Sequence, residues 1–300
     1  MEISVNNVVK SYKDVRAVDH VSFEVKKGEV YGIIGPNGAG KTTLMEIMLG
    51  LRRQDSGEVK IQDYDNIRDH KKLVYRIGAQ LQHSELPVNI KVREAVRLQA
   101  DLFKAKVDIN DLLTEFNLTE KAGSYFSKLS GGQKQRLFIL LAVIHNPDIV
   151  FFDELSTGLD PVSRQEVWNY VGNLKKRGKT ILVSTHFMQE AEQICDRIML
   201  VNKGNVVDIG TPAELTAKLP FTGVIEFHSP VSEDHVFDIL RKSKGYVAEE
   251  ELEENSYRVF VSDGFHTDDL IKNKDLNISG MKSRQSSFED YFYYKVKLKG

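Results

Sequence analysis

An α/β fold organised around a parallel sheet is predicted by three features of the sequence. Apolar strand-like runs alternate with helical patterns between residues 148 and 201. A glycine-rich loop, Gly35 to Thr42, lies between an apolar run and a helical segment. Beyond residue 220 the pattern changes to shorter elements of a small α+β module.

Taken in order, "ISVNNVV", "VSFEV" and "GEVYGII" read as strands, with "KKGE" as a turn between the last two. Residues 41–50 read as a helix, and residues 55–82 as short strands and turns around "SGEVKIQDYD". From about residue 90 to 145 the pattern is helical, with Val92, Val96 and Gln99/Ala100 three or four apart. Next come "DIVFFDE" (strand), "PVSRQEVWNYVGNLKKRG" (helix), "TILVST" (strand), "HFMQEAEQICD" (helix) and "RIMLV" (strand). Such alternation implies parallel strands joined by crossover helices. Trp168 shares its helical face with Val167, Val171 and Leu174 and reads as a packing residue.

"GTPAELTAKLP" reads as a closing helix. The remainder, with "GVIEFHS", a helix near 232–243, "YVAEE", "SYRVFVS", a helix near 267–273 and "NISGMKSR", has the order βαββαβ. Its acidic run "AEEELEEN" (248–255) reads as a solvated hairpin tip. No internal repeat is present, and the glycine loop occurs once.

The composition is that of a globular protein, with 41% hydrophobic and 28% charged residues. A net charge of -2 gives no electrostatic argument for nucleic acid binding. The single cysteine, Cys195, excludes an intrachain disulfide, fits a reducing compartment and reads as a small buried side chain. The N-terminus "MEISVNNVVKSYKD" has neither the basic start nor the apolar run of a signal peptide. The longest apolar runs, such as "LFILLAVI" (137–144), are far short of the roughly 20 residues a spanning helix needs. A cytosolic chain is expected, with any membrane role reached through a partner.

The loop Gly35, Pro36, Asn37, Gly38, Ala39, Gly40, Lys41, Thr42, followed by Thr43, matches G-x-x-x-x-G-K-[ST]. Glycines let successive backbone N–H groups turn onto phosphate oxygens, and the helix starting near Lys41 adds its N-terminal dipole. Lys41 would reach the β- and γ-phosphates, and the Thr42 hydroxyl would ligate Mg²⁺. A P-loop for a nucleotide is the expectation.

Further motifs follow in a fixed order: "LSGGQ" at 129–133 with "KQR" behind it, then "DIVFFDE", then "STH". Together with the P-loop, this series resembles the ATP-binding-cassette (ABC) family over residues 1–220. The resemblance implies a P-loop NTPase cassette: a RecA-like parallel core, an antiparallel β subdomain and a helical subdomain at about 83–145. The nucleotide-binding domain would cover residues 1–219, and an accessory α+β module residues 220–300.

The resemblance also assigns roles. Asp153 and Glu154 would stand at the C-terminal end of an apolar strand, where ligands bind in open α/β sheets. Asp153 would hold Mg²⁺ or its water, and Glu154 would act as general base. Ser130, Gly131, Gly132 and Gln133 would meet the γ-phosphate of ATP held by a second subunit. Gln82 matches the glutamine that touches Mg²⁺ and the water, with Gln80 a competing choice. His186 matches the switch histidine, Asp160 the D-loop and Tyr12 the aromatic that stacks on adenine. One departure is Leu155, where the family usually has proline. "NKGN" (202–205) resembles the guanine-reading N-K-x-D but ends in Asn205, and a hairpin turn is the better reading.

ATP and Mg²⁺ are the expected cofactors. The expected partners are a transmembrane permease on a separate chain and a second ATPase subunit, identical or related, with no nucleic acid. Residues "HSELPVNIKVREAV" after Gln82 lie where family members form a groove for a permease helix. The tail "SSFEDYFYYKVK" resembles the S-L-E-D-x-F segment of ATPases serving type-2 ABC exporters, which move drugs, antibiotics, lipids or polysaccharides. Phe288 and Phe292 would form an apolar helix edge there. The expected function is therefore an ATP hydrolase on the inner face of the cell membrane, driving an exporter. A soluble ATPase acting on ribosomes or DNA, or an importer subunit, are the alternatives.

Overall fold

A computed structural model describes residues 1–300 other than 83, 254, 273, 299 and 300. The chain divides into two compact units, Met1–Pro212 and Ala213–Gly300.

The first unit contains two sheets. The strands β1 (Ile3–Tyr12), β2 (Val15–Val25), β4 (Ser56–Ile61) and β5 (Tyr64–Asp65) form an antiparallel sheet of order β2-β1-β4-β5. The strands β3 (Val30–Ile34), β6 (Ile77–Gln80), β7 (Ile149–Asp153), β8 (Thr180–Thr185) and β9 (Arg197–Asn202) run parallel, in the order β9-β3-β8-β7-β6. A final strand, β10 (Asn205–Gly210), extends this sheet antiparallel to β9. β3, β7 and β8 are buried at every position, as expected of parallel strands covered on both faces.

Helix α1 (Lys41–Met48) joins the two sheets. Its Leu44, Met45, Ile47 and Met48 share one core with Val5 and Ile61 of the first sheet and Ile33, Phe151 and Leu182 of the second. The remaining helices of this unit are α2 (His70–Leu73), α3 (Val92–Phe103), α4 (Ile109–Glu115), α5 (Gly131–Val143), α6 (Pro161–Lys176) and α7 (Met188–Ile194). α3 buries Val92, Ala95, Val96 and Ala100, the stripe its periodicity predicts. Trp168 is buried on α6 beside Val167, Val171 and Leu174. Cys195 is buried, and burial pushes its thiol up. Asn202 and Asn205 pair across a two-residue turn in which Lys203 and Gly204 have φ of 47° and 79°. Two positive φ values define the hairpin turn whose twist suits antiparallel strands, so "NKGN" is a turn.

In the second unit, α8 (Pro212–Thr216), which starts on the last residue of the first, is followed by β11 (Gly223–His228), α9 (Glu233–Leu240), β12 (Tyr246–Glu253), β13 (Ser256–Val261), α10 (Thr267–Lys272), β14 (Ser279–Gln285) and α11 (Phe288–Tyr293). The βαββαβ order closes into an antiparallel sheet, β12-β13-β11-β14. One face packs Ile225, Phe227 and Val259 against Val236, Leu240 and Leu270. The other face packs Val224 and Phe260 with Phe221, Tyr293 and Tyr294.

Two expectations need correction here. The acidic run 248–255 is not a hairpin tip: its residues up to Glu253 belong to β12, with Glu249, Glu250 and Glu251 opposite Val259, Arg258 and Tyr257 (Glu254 lies outside the described residues). Two of these carboxylates have cationic partners to hand, Arg241 for Glu249 at 2.6 Å and Arg258 for Glu250 at 3.4 Å, which lowers the cost of placing them in a strand. On α11 the buried pair is Phe288 and Tyr291, three apart, and Phe292 is only half-buried.

Arg284 reaches from β14 to Asp290 with two hydrogen bonds of 2.6 and 2.8 Å, and Asp290 accepts from the Ser287 N–H at 2.8 Å. Burial alone would raise this carboxyl, but the hydrogen bonds from Arg284 and Ser287 outweigh it and hold the group below the usual range. A carboxyl lowered in the folded state stabilises the fold above its unfolded pKa, and loses that contribution as the pH falls through the folded value. Thermal melting of the full chain should therefore show a loss beginning below about pH 4. Asp290→Asn should lower the melting temperature at neutral pH and flatten that acid limb; an unchanged limb would exclude the group.

Candidate active site

The glycine loop leaves β3 at the centre of the parallel sheet and feeds α1. Two glycines are required by close approach. A Cβ on Gly35 would lie 2.2 Å from the Val201 carbonyl oxygen, and one on Gly40 would lie 2.1 Å from that of Ala17. Gly40 also has φ of 101°, outside the range other residues adopt without strain. The loop is thus pressed between β9 on one side and β2 on the other.

Lys41 folds back under the loop. Its ammonium donates to the Gly35 and Pro36 carbonyl oxygens at 2.9 and 3.0 Å and lies 3.6 Å from Glu154 Oε1. Burial lowers its pKa, and the nearby Glu154 and Asp153 charges oppose that shift. Tyr12, at the end of β1, faces the same cleft with Asn37, Gly38, Thr42 and Thr43. The Arg52 guanidinium lies 5.2 Å from the Tyr12 ring centroid.

Asp153 and Glu154 leave the end of β7 in different directions. Asp153 is fully buried, accepts a hydrogen bond from the Ser184 hydroxyl, and lies against the Thr42 hydroxyl. Burial raises its pKa. Its second oxygen, Oδ2, is buried without a hydrogen-bond partner. Glu154 has φ of 52°, a left-handed conformation for a residue with a side chain. Its N–H is held by the Ser184 carbonyl and hydroxyl oxygens, both at 3.1 Å. This turn swings the Glu154 carboxylate into the cleft. There Thr157 Oγ1 donates to Oε2 at 3.1 Å, Gln82 Nε2 lies 3.5 Å from Oε2, and His186 Nδ1 lies 3.6 Å from Oε1.

Of the two glutamines, the structure brings Gln82 into the cleft. Gln80 is buried at the end of β6 and donates to the Leu81 carbonyl oxygen at 2.8 Å. Ser130, Gly131, Gly132 and Gln133 do not line the cleft. Ser130 caps α5, its hydroxyl accepting from the Gln133 N–H at 3.3 Å. Asp160 caps α6 through the Val162 and Ser163 N–H groups. Ser130, Gly131 and Asp160 are exposed, Gln133 is half-buried and Gly132 is buried.

Sequence reasoning missed Ser184, Thr157 and Glu190. Ser184 faces Asp153 because β7 and β8 pair in that register, which local pattern does not encode. Glu190 accepts from Ser156 Oγ at 2.7 Å and Thr185 Oγ1 at 3.3 Å.

No group of three or more His, Cys, Asp or Glu residues is placed to hold a metal among the described residues. The oxygen donors that are present, Asp153 Oδ2 and the Thr42 hydroxyl, suit a hard cation that brings water and phosphate oxygens as its other ligands.

Residues 18–157 match the sequence model of the family described as ABC transporter. The chain is 37% identical over 233 residues to Nod factor export ATP-binding protein I of Burkholderia orbicola, covering 76% of this chain and 77% of that protein. It is 36% identical over 221 residues to a daunorubicin resistance ATP-binding protein of Streptomyces coeruleorubidus, covering 72% and 70%. Among solved structures, an ATP-binding subunit of an ABC transporter is similar with TM-score 0.66 and 26% identity, over 73% of this chain and 93% of that one. A dimeric ATP-binding cassette in a post-hydrolysis state, bound to ADP and Pi, is similar with TM-score 0.63 and 28% identity, over 70% and 98%.

Gly40→Ala tests the loop geometry. The added methyl meets the Ala17 backbone at a strained φ, so the variant should lose roughly 1–3 kcal/mol of stability in a denaturant melt. Titration with a fluorescent ATP analogue should show weakened binding. Wild-type stability and affinity together would contradict the close approach.

Proposed function

The chain belongs to the ATP-binding subunits of ABC transporters, and from that premise we propose that it powers export through a separate membrane permease. It binds ATP and hydrolyses it. The observation that carries the site assignment is the convergence of Lys41, Gln82 and His186 on the Glu154 carboxylate, beside the glycine loop.

The loop from Gly35 through Thr43 cradles the phosphates with its N–H groups and the α1 N-terminus, and Tyr12 stacks on the adenine. Lys41 exchanges its carbonyl partners for β- and γ-phosphate oxygens. Asp153, Thr42 and Gln82 would hold Mg²⁺, which when bound would supply positive charge to offset that of the phosphates. Glu154 takes a proton from the water that attacks the γ-phosphorus, and the bond to the ADP oxygen breaks. His186, 3.6 Å from that carboxylate, orients it and contacts the γ-phosphate.

Ser130, Gly131, Gly132, Gln133 and Asp160 act across a dimer. The exposure of Ser130, Gly131 and Asp160 outside the cleft supports this reading, because a second subunit can reach them. One P-loop and one LSGGQ segment per chain give two shared sites in a head-to-tail pair, homodimeric or heterodimeric. The nucleotide-binding domain is assigned to residues 1–219, with its helical subdomain at about 83–145, and the accessory module to 220–300.

No described helix is long and apolar enough to cross a membrane. The proposed location is the cytoplasmic face of the membrane, bound to a permease. An apolar groove lined by Leu51, Leu73, Val74, Phe103 and Leu141 supports a docked helix there. Residues 84–96 do not line this groove, and His83 lies outside the described residues. The export direction is supported by relatives named for Nod factor export and daunorubicin resistance.

Glu154→Gln should bind ATP with wild-type affinity while turnover falls about 10²- to 10⁴-fold. Lys41→Ala should lose nucleotide binding or turnover, and chelation of divalent cations should abolish turnover and restore it on Mg²⁺ addition. Normal turnover in Glu154→Gln would show the base to be elsewhere. Purification of tagged Glu154→Gln from its native membranes with MgATP should recover a polytopic membrane protein. Recovery of ribosomes or nucleic acid in its place would overturn the transport role.

A further inference from the structure

Glu190 lies in the first turn of α7 and is 8% exposed, with no charge from the nucleotide site within its own hydrogen-bond shell. Its carboxylate ties together three segments that are distant in sequence. Oε2 accepts from Ser156, in the turn that follows Glu154, and from Thr185, which immediately precedes His186. Oε1 lies 3.3 Å from Arg164 Nε, in the first turns of α6.

Each partner is itself committed to the site. Ser156 is 1% exposed, and its carbonyl accepts from the Leu159 N–H at 3.3 Å, shaping the turn that runs to Asp160. Thr185 Oγ1 also accepts from the Phe187 N–H at 3.0 Å, so it holds the backbone on both sides of His186. The Arg164 guanidinium lies 4.4 Å from the Phe187 ring centroid, and that ring touches the His186 imidazole at 4.2 Å. The neighbouring Ser163 packs so tightly on Gly132 that a Cβ there would come within 2.5 Å of its hydroxyl.

A buried carboxylate is costly unless paired, and a surface helix could be anchored by an apolar residue at lower cost. Here two hydroxyls from two segments donate to Oε2, Arg164 from a third supplies the countercharge 3.3 Å from Oε1 without a hydrogen bond, and all three segments lead to proposed catalytic groups. We propose that Glu190 is a positioning residue for ATP hydrolysis, fixing His186 and the Glu154–Asp160 turn in register with the start of α6. The inference rests on the roles proposed for Glu154 and His186.

Without the anionic junction, Arg164 loses its countercharge and keeps only the Leu159 carbonyl oxygen at 3.4 Å and the Phe187 ring, and the two hydroxyls lose their charged shared acceptor. The distance between His186 and the Glu154 carboxylate is then no longer set. A displacement of about 1 Å in such a group costs on the order of tenfold to hundredfold in rate, without weakening ground-state binding.

The test compares Glu190→Gln, Glu190→Asp, Ser156→Ala and Glu154→Gln in the full chain. Turnover, MgATP affinity by a fluorescent analogue, and melting temperature are read for each. Glu190→Gln should lower kcat about tenfold to hundredfold while affinity stays within about twofold. Glu190→Asp, which keeps the charge, should recover part of the rate, and Ser156→Ala should lose a smaller part. Wild-type kcat in Glu190→Gln, with Glu154→Gln inactive, overturns the positioning role and leaves the base assignment standing. Equal losses of rate, affinity and melting temperature, with no rescue by Glu190→Asp, also overturn it and leave a structural role only. Normal turnover in Glu154→Gln removes the base assignment and the inference with it.

Discussion

The Glu154 carboxylate is where four segments of the first unit meet. Lys41 comes from the loop after β3, Gln82 from the end of β6, Thr157 from the turn after β7 and His186 from the end of β8. Of these groups only Thr157 is near Glu154 in sequence. What holds them is the parallel order of β3, β8, β7 and β6, which delivers the strand ends to one edge of the sheet. The left-handed backbone at Glu154 completes the arrangement, because it turns that side chain away from the direction taken by Asp153. Ser184 stabilises the turn from the adjacent strand, with its hydroxyl on Asp153 and its oxygen atoms on the Glu154 N–H. Strain of this kind persists only where neighbours over-determine it.

The phosphate-binding loop depends equally on the antiparallel sheet. Ala17 of β2 approaches Gly40, while Val201 of β9 approaches Gly35. The glycines therefore serve two purposes, exposing N–H groups to a ligand and letting two strands close on the loop. Tyr12, at the tip of β1, reaches the cleft because the same sheet packs over α1 through the shared core. The low-dielectric interior beneath the loop explains the opposed shifts of Lys41 and Asp153, each penalised in its charged form by burial.

The second unit has cores of its own on both faces of its sheet. Its charged residues are arranged by pairing: Arg258 lies between Glu226 and Glu250, and Arg284 holds the first turn of α11 through Asp290. The acidic stretch that reads as a solvated turn is thus a paired strand. Period-2 alternation is masked there, because both faces of β12 carry carboxylates, and their partners lie on other elements.

By itself, the sequence determined the phosphate loop, the α/β alternation, the βαββαβ order and the family, since each is written in local spacing: glycines at fixed intervals, apolar runs of strand length, helical stripes. It also placed Asp153 and Glu154 together, because they are consecutive. The family resemblance pointed to Gln82 over Gln80, and only the tertiary structure decided that Ser184 stands behind both acids and that Glu190 joins three segments. Those outcomes follow from strand register and from a positive φ at one residue, neither of which has a local signature. The same holds for the edge of α11, where Tyr291 and not Phe292 is buried beside Phe288. Side-chain spacing offered both choices, and the packing available around that short helix selected one.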